Sequence, residues 1–427
     1  MGRDRNSGNS RNGWRTARHR GNGRNGSRTA RHGGTLGRYG PPVLAALLLT
    51  AGTTACTAPE REPAKPRSSP SAAGGAAADR AFTLVASGDV LPHDSVISRA
   101  RGDADGSSDD GYDFRPMLAA VRPFVSAADL AICHMETVYG ADGDYQGYPA
   151  FTSPPQVARG LAATGYDACS TASNHSLDDG ADGIRRTLDA MDTAGLVHHG
   201  SARTAQEAAL PGRLKAGGAE VAHLAYTYGT NGQPLPEGQP WAVRLIDEQQ
   251  ILDDARAARR AGADIVVLSL HWGTEWQTDP DEQQLTLARS LTAAATGGRP
   301  DIDLVLGTHA HVPQAYEKVN GTWVIYGMGD QIAGPMFDYT GARDHRGNMG
   351  SIGRFTFAPP KTPGGRWEVT RAEFVPQWYD TDAGRVVNLP AALAEDSGRD
   401  DLREVQDGIA EAVLSRGAAK DGLTMAR

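Results

Sequence analysis

The strongest constraint on this chain is an alternation. From residue 81 onward, short apolar runs rich in β-branched residues alternate with stretches of helical periodicity. Residues 82–86, 129–133, 265–270, 302–306 and 323–326 read as strands, and 265–270 (Ile-Val-Val-Leu-Ser-Leu) is apolar enough to be covered on both faces. Between them, Ile184, Leu188 and Met191 recur at helical spacing, with Gly195 as a stop. Asp247 is placed to cap a helix that buries Ile251, Leu252, Ala255 and Ala258, and Pro280 suits the first turn of a helix running through Leu287 and Leu291. Residues 101–111 and 228–240 read as loops, and 390–427 as one or two helices with a frayed end. Strands alternating with helices define an α/β fold.

The residues just after each strand give that fold its chemistry. Gly88-Asp89 and then His93 come after the first, and His134-Met135-Glu136-Thr137 after the second. Tyr166-Asp167-Ala168-Cys169 leads into Ser173-Asn174-His175, with Asp178 behind. His271-Trp272-Gly273-Thr274-Glu275 stands after 265–270, and Gly307-Thr308-His309-Ala310-His311 after 302–306. Ligands of open α/β sheets bind in the crevice beyond the carboxyl ends of the strands. Carboxylates, an amide oxygen and imidazoles suit a divalent ion such as Mn, Fe or Zn rather than a thiolate site. One ion or two could be held, with Asp89 or Glu136 bridging and Asn174, His271, His309 and His311 as further ligands. His175, beside Asn174, is then free to donate a proton to a leaving group, and Asp178 and Glu275 complete the candidate catalytic set.

Taken singly, each of these residues has a plainer reading. An Asp after a strand is usually a turn or cap residue, and a lone His is usually a satisfied polar group. His93 and His134 stand between ligand and bystander, while His198, His199 and His223 read as incidental. His309 and His311 are stronger as a pair, because alternate side chains point the same way in extended backbone. Five strand ends that deliver metal-type groups together are far more specific than any one of them.

Charge separates the head of the chain from its body. Residues 1–40 hold ten Arg, no Lys and one acid, and contain a near-repeat, 11–19 against 24–32. Net charge is −8 overall, which leaves −17 for the remainder. A body that acidic is a poor match for a phosphate backbone, so nucleic acid is not an expected partner. The head reads as a disordered basic leader. Residues 41–56 continue with an apolar stretch too short to span a bilayer and suited to a signal h-region. Thr53-Thr54-Ala55-Cys56 resembles a bacterial lipobox, which makes Cys56 the candidate lipidation site and the membrane a partner; an ordinary secretory signal is the alternative. Residues 57–80, rich in Pro, Ala, Ser and Gly, read as a flexible tether. The expected location is extracytoplasmic, anchored or secreted. There Cys133 and Cys169 could form a disulfide, or remain two buried thiols.

The ordered blocks in the body resemble the CapA-type family, named for poly-γ-glutamate capsule synthesis and similar in fold to calcineurin-like metallophosphoesterases. They comprise Gly88 to His93, Ala128 to Thr137, Phe151-Thr152-Ser153-Pro154, Ser173 to Asp178, Tyr226 to Asn231, His271 to Glu275 and Gly307 to Gln314. The resemblance implies a metallophosphoesterase-like β-sandwich flanked by helices, with its active site at the strand C-terminal ends. It implies metal or active-site roles for Asp89, Glu136, Asn174, His175, His271, His309 and His311. His134 stands where the family often has Asn. Asp330 stands where it typically has Asn, adding charge. Asp89 and His93 are four apart, where metallophosphoesterases use Asp-x-His. The expected organisation is a CapA-like domain over 81–380 and a helical extension over 381–427. The expected function is a membrane-tethered, metal-dependent, phosphatase-like hydrolase. Its substrate would be a phosphoester or an anionic surface-polymer intermediate, and polymer-synthesis machinery its partner. A non-catalytic accessory lipoprotein for polymer synthesis, export or anchoring is the alternative.

Overall fold

Alternating faces of one strand set the architecture. Along Phe82–Leu91, Phe82, Leu84 and Ala86 face one core while Val85 faces another, in keeping with the two-residue period of extended backbone. The computed structural model describes residues 80–105, 111–141, 143–362 and 365–426. The basic head, the apolar run with Cys56, and the tether up to residue 79 lie outside the described residues.

Two sheets stack face to face. In the first the order is Arg385–Asn388, Glu368–Asp380, Met349–Ala358, Phe82–Leu91, Leu130–Met135, Ala168–Ser170, Val197–His199. The last four run parallel and the others pair antiparallel. The second sheet runs Tyr316–Val319, Thr322–Ile325, Leu304–Thr308, Ile265–His271, Ala219–Thr227, Gly212–Ala216, with a parallel centre and antiparallel edges. Leu84 and Ile132 of the first sheet meet Val221, Ile265, Val267 and Leu306 of the second in the shared core. Outside the first sheet, Val85, Ala131 and Cys133 pack under Val96, Val121 and Leu161 from helical segments. Outside the second, Leu224, Val266 and Leu268 pack under Ile251 and Leu287 of Glu248–Arg260 and Glu282–Ala293. The result is a helix–sheet–sheet–helix sandwich: the alternation pointed to α/β, and the family resemblance to the sandwich.

Local chemistry fixes the helix ends. Gly195 closes Gly180–Ala194 in the left-handed conformation, φ +77°. Asp247 Oδ1 accepts from the Gln250 amide at 2.8 Å. Pro280, expected inside a first turn, instead precedes the cap: Asp281 and Gln284 form a reciprocal capping box that starts the helix after it. The C-terminus corrects another expectation. After helices Leu389–Glu395 and Asp400–Leu414 the chain does not fray. Leu423–Met425 joins the first sheet parallel to Ala372–Phe374, because Leu423 is buried in the shared core. Residues 101–103, expected as loop, complete the helix Asp94–Asp103. Among the described residues no helix is long and apolar enough to cross a membrane.

Two features hold the strand ends in place. Phe82–Leu91 pairs with Met349–Ala358 up to Ala86, then with Asp330–Ala333 from Asp89 onward. The switch occurs at Gly88, where a Cβ would fall 1.7 Å from the carbonyl oxygen of Gly329. Only glycine permits that approach, and the Asp89 amide donates to the same oxygen at 3.0 Å. Next door, Cys133 and Cys169 stand opposite one another on parallel strands and form a disulfide, which resolves the open choice between bridge and free thiols.

Candidate metal centre

The centre is built where the carboxyl ends of both sheets meet. Asp89, His134 and Glu136 come from the first sheet's strand ends, and His271, His309 and His311 from the second's. All six are almost fully buried. Within it, Asp89 Oδ1 lies 3.6 Å from His134 Nε2 and 3.9 Å from His271 Nδ1. Glu136 Oε1 lies 3.7 Å from His271 Nε2 and 3.8 Å from His311 Nε2. Asp89 Oδ2 lies 3.9 Å from His311 Nδ1. These gaps are too long for hydrogen bonds.

The spacing suits ligands of a shared ion. Donors at about 2.0–2.2 Å from one cation stand roughly 3–3.6 Å from each other, only slightly closer than here. Three sets of donor atoms each fall within 4.8 Å of one another: Asp89, His134 and His271; Glu136, His309 and His311; Asp89, His311 and Asp330. Asp89 and His311 each belong to two of them. Within the centre, six buried atoms have no hydrogen-bond partner: Asp89 Oδ1, His134 Nε2, both Glu136 oxygens, His309 Nδ1 and Asp330 Oδ2; others, such as His223 Nδ1 and Trp241 Nε1, lie elsewhere in the described residues. A protein interior rarely tolerates one such group, let alone a cluster, and a divalent cation would satisfy them together. The donor set, carboxylate oxygen and imidazole nitrogen, fits a divalent metal without specifying which.

Surrounding groups orient the donors. Asp330 Oδ1 lies 2.9 Å from His311 Nδ1, Ser170 Oγ 2.7 Å from His134 Nδ1, and Thr308 Oγ1 3.0 Å from His271 Nδ1. Such partners fix the tautomer and direction of a ligand ring. Asn174 Oδ1 lies 2.9 Å from His271 Nε2, which puts it at the cluster's edge. Neighbouring Ser173 donates from its hydroxyl to the Glu136 carbonyl, tying the two strand ends together. His309 and His311 reach the centre by an unexpected route. Both have positive φ, +94° and +57°, so a strained loop aims them, not the pleat of a strand. The His309 amide, freed by that turn, donates to Asp89 Oδ2 at 3.1 Å.

Electrostatics derive from burial. Asp89 is raised to about 8, by desolvation first and by neighbouring Asp330 second. Burial also lifts Glu136 well above the carboxylate range and Asp330 to about 6. Desolvation lowers His134 to about 3 and holds His271 and His309 well below the usual imidazole range. His311 goes the other way. Burial opposes its charge, but Asp330, Glu136 and Asp89 together hold it well above that range.

Three residues stand beside the donors. His175 is anchored through Nδ1 to Asp178 Oδ2 at 2.6 Å, and that carboxylate also accepts from the Phe151 amide. Glu275 and His175 line a cleft of about 600 Å³ that opens from the centre, with His311 at its inner end. His93, a candidate ligand by sequence, lies in none of the three donor sets. Its Nδ1 accepts from the Gly334 amide at 3.0 Å and its ring meets the edge of Phe151, so it is a wall of the cleft. The turn after the strand carries it past the donors; burial lowers it to about 4. Conversely, the sequence settles no ligand role for His134 or Asp330. For His134 a signal existed: it sits two residues before Glu136 on one strand end, and therefore on the same face. Asp330 had none beyond its charge, because its partner His311 is brought near only by the pairing of Asp89 with Asp330 across two strands.

Fold and donors together define an α/β sandwich with a buried, divalent-metal-type centre at its strand ends. Residues 83–335, more than half of the chain, match the family described as bacterial capsule synthesis protein PGA_cap, and the chain belongs to that family. It is 27% identical over 233 residues to a probable polyglutamine synthesis accessory protein of Mycobacterium tuberculosis, covering 52% of this chain and 58% of that one. It is 28% identical to the PGA biosynthesis protein CapA of Bacillus subtilis, covering 39% of this chain and 42% of that one. The chain thus spans about half the length of these relatives. Among solved structures, a putative 5′-nucleotidase from Staphylococcus aureus in complex with α-ketoglutarate overlaps with a TM-score of 0.43 at 14% identity, covering 69% of this chain and 54% of that one.

Proposed function

We propose that this chain is an extracytoplasmic, membrane-tethered, metal-dependent hydrolase of phosphatase type, acting on a phosphoester intermediate in the making of an anionic surface polymer such as poly-γ-glutamate. The observation that carries the reading is the cluster of six partnerless buried donor atoms at the junction of two sheets. Partnerless atoms occur elsewhere too, but only here do they converge on carboxylates and imidazoles within one ion's reach, which a metal site requires and a structural core does not. When bound, the ion supplies Lewis acidity, polarising a substrate oxygen and making water a competent nucleophile near neutral pH. Asp89, His134, Glu136, His271, His309 and His311 would hold it, with Asn174 and Asp330 completing or orienting the set.

The protein's own groups do the rest. Asp178 holds His175 by Nδ1 and so leaves the other ring nitrogen to face a substrate, the arrangement a proton donor to a leaving group needs. Glu275, on the cleft wall, is placed to accept a proton from an attacking water. Asp330 keeps His311 charged or metal-directed by the bond at Nδ1.

The relatives' names favour a second reading, in which the fold assists polymer synthesis without catalysis. One experiment separates them. The purified full chain should bind divalent metal and hydrolyse bis(p-nitrophenyl) phosphate, and His309→Ala should abolish both. If instead a polymer-deficient deletion strain is fully restored by an Asn174→Ala, His175→Ala double variant, the accessory reading stands.

A further inference from the structure

The cleft beyond the centre has a chemistry of its own, and what it selects rests on the phosphoryl reading of the proposed function. Tyr148, Phe337 and Tyr339 rim its mouth and are 76%, 56% and 71% exposed. Trp276 lies further in, and Glu275 and Asp338 supply carboxylates. Single exposed aromatics are ordinary on a protein surface, but three around one opening mark a recognition surface. The rim is also preorganised. Asp338 Oδ1 accepts from the Thr340 amide and hydroxyl and from the Ala342 amide, fixing the loop that presents Phe337 and Tyr339. Tyr339 in turn donates from its hydroxyl to the Glu275 carbonyl at 3.2 Å.

What the cleft lacks is equally informative. Among the described residues lining it there is no Arg or Lys. On the loop after Tyr339, Arg346 is closed onto Asp344 and Arg343 donates to Thr381. Polyanion recognition relies on guanidinium and ammonium donors. Its histidines, His93, His175 and His311, belong to the centre and its wall, and the rest of the lining offers carboxylates and the negative faces of aromatic rings, the combination that attracts a cation. The body's charge of −17 acts in the same direction.

We propose that the cleft recognises an ammonium group, primary or quaternary, on the non-reacting side of a phosphoryl substrate. The ligand is therefore zwitterionic. Its phosphoryl group meets the centre, and its cation lies against Tyr148, Phe337, Tyr339 and Trp276 with Asp338 balancing the charge.

Equilibrium binding to the Mn-loaded full chain tests this with two probes of similar size, phosphocholine and phosphoglycolate. Phosphocholine should bind at least about 10-fold more tightly, and Tyr339→Ala or Asp338→Asn should weaken it about 10-fold while leaving phosphoglycolate unchanged; Asn keeps the Oδ1 acceptor that holds the loop. Equal binding of the two, or a preference for phosphoglycolate, overturns the proposal and leaves the phosphoryl reading intact. If neither binds, the phosphoryl reading fails, and tetramethylammonium alone becomes the probe. No binding of it, or binding insensitive to Tyr339→Ala, overturns the cation site as well.

Discussion

Asp89 gathers the electrostatics of the centre into one side chain. Fully buried and close to Asp330, it retains its proton to a pH of about 8 in the metal-free protein. A divalent ion must displace that proton and the one that burial holds on Glu136, so metal affinity should rise with pH through about 8. Calorimetry in two buffers of different ionisation enthalpy will show proton release on binding. The same shift sets the stability of the metal-free fold. A carboxyl raised above its unfolded value favours the folded state at low pH, and that advantage is lost as pH climbs through the folded value. The lowered imidazoles His134, His271 and His309 act oppositely, but only below about pH 6.5, where the unfolded chain would protonate them. Between about pH 6.5 and 8 the metal-free protein should therefore lose stability. Thermal melts with chelator will show a falling midpoint over that window, and saturating Mn should remove the fall. Asp330→Ala removes the acceptor that orients His311: metal affinity should drop about 10- to 100-fold, measured by competition with a chromophoric chelator.

Within single elements, two devices carry the strand ends. Gly88 lets Phe82–Leu91 change partners beside Gly329, and a methyl group there meets a backbone carbonyl that has nowhere to go. Gly88→Ala should cost about 3 kcal/mol or more, read from the denaturant midpoint, with metal binding lost in the same variant. The Cys133–Cys169 bridge closes a 36-residue separation between the strands that present His134 and Ser170. Its removal in a Cys133→Ala, Cys169→Ala double variant should cost about 3–4 kcal/mol by loop-closure entropy, checked by denaturation. These elements also show how far the sequence could be read. Strands such as Ile265–His271 announce themselves because burial on both faces makes them an almost unbroken run of branched apolar residues. The glycine contact and the Leu423–Met425 strand do not, since each is decided by a neighbour far away in the chain.

For the whole molecule, donors arrive from both sheets, so an ion would bridge the two halves of the sandwich. Binding only to the folded state at about 1,000 times the dissociation constant should add about 4 kcal/mol, visible as a higher melting temperature that depends on metal concentration. Most of the centre was legible because strand ends are where α/β folds place ligands, and five such ends announced polar residues together. The hidden remainder was set by packing across the chain. His93 shares the sequence signature of a ligand yet turns to Gly334, and Asp330 shows its role only once its strand pairs beside Asp89. Because neither sheet alone owns a complete set of donors, a half-built protein has nowhere to lodge a cation. Each donor set is completed only when the two layers close, so tight metal uptake reports an assembled sandwich.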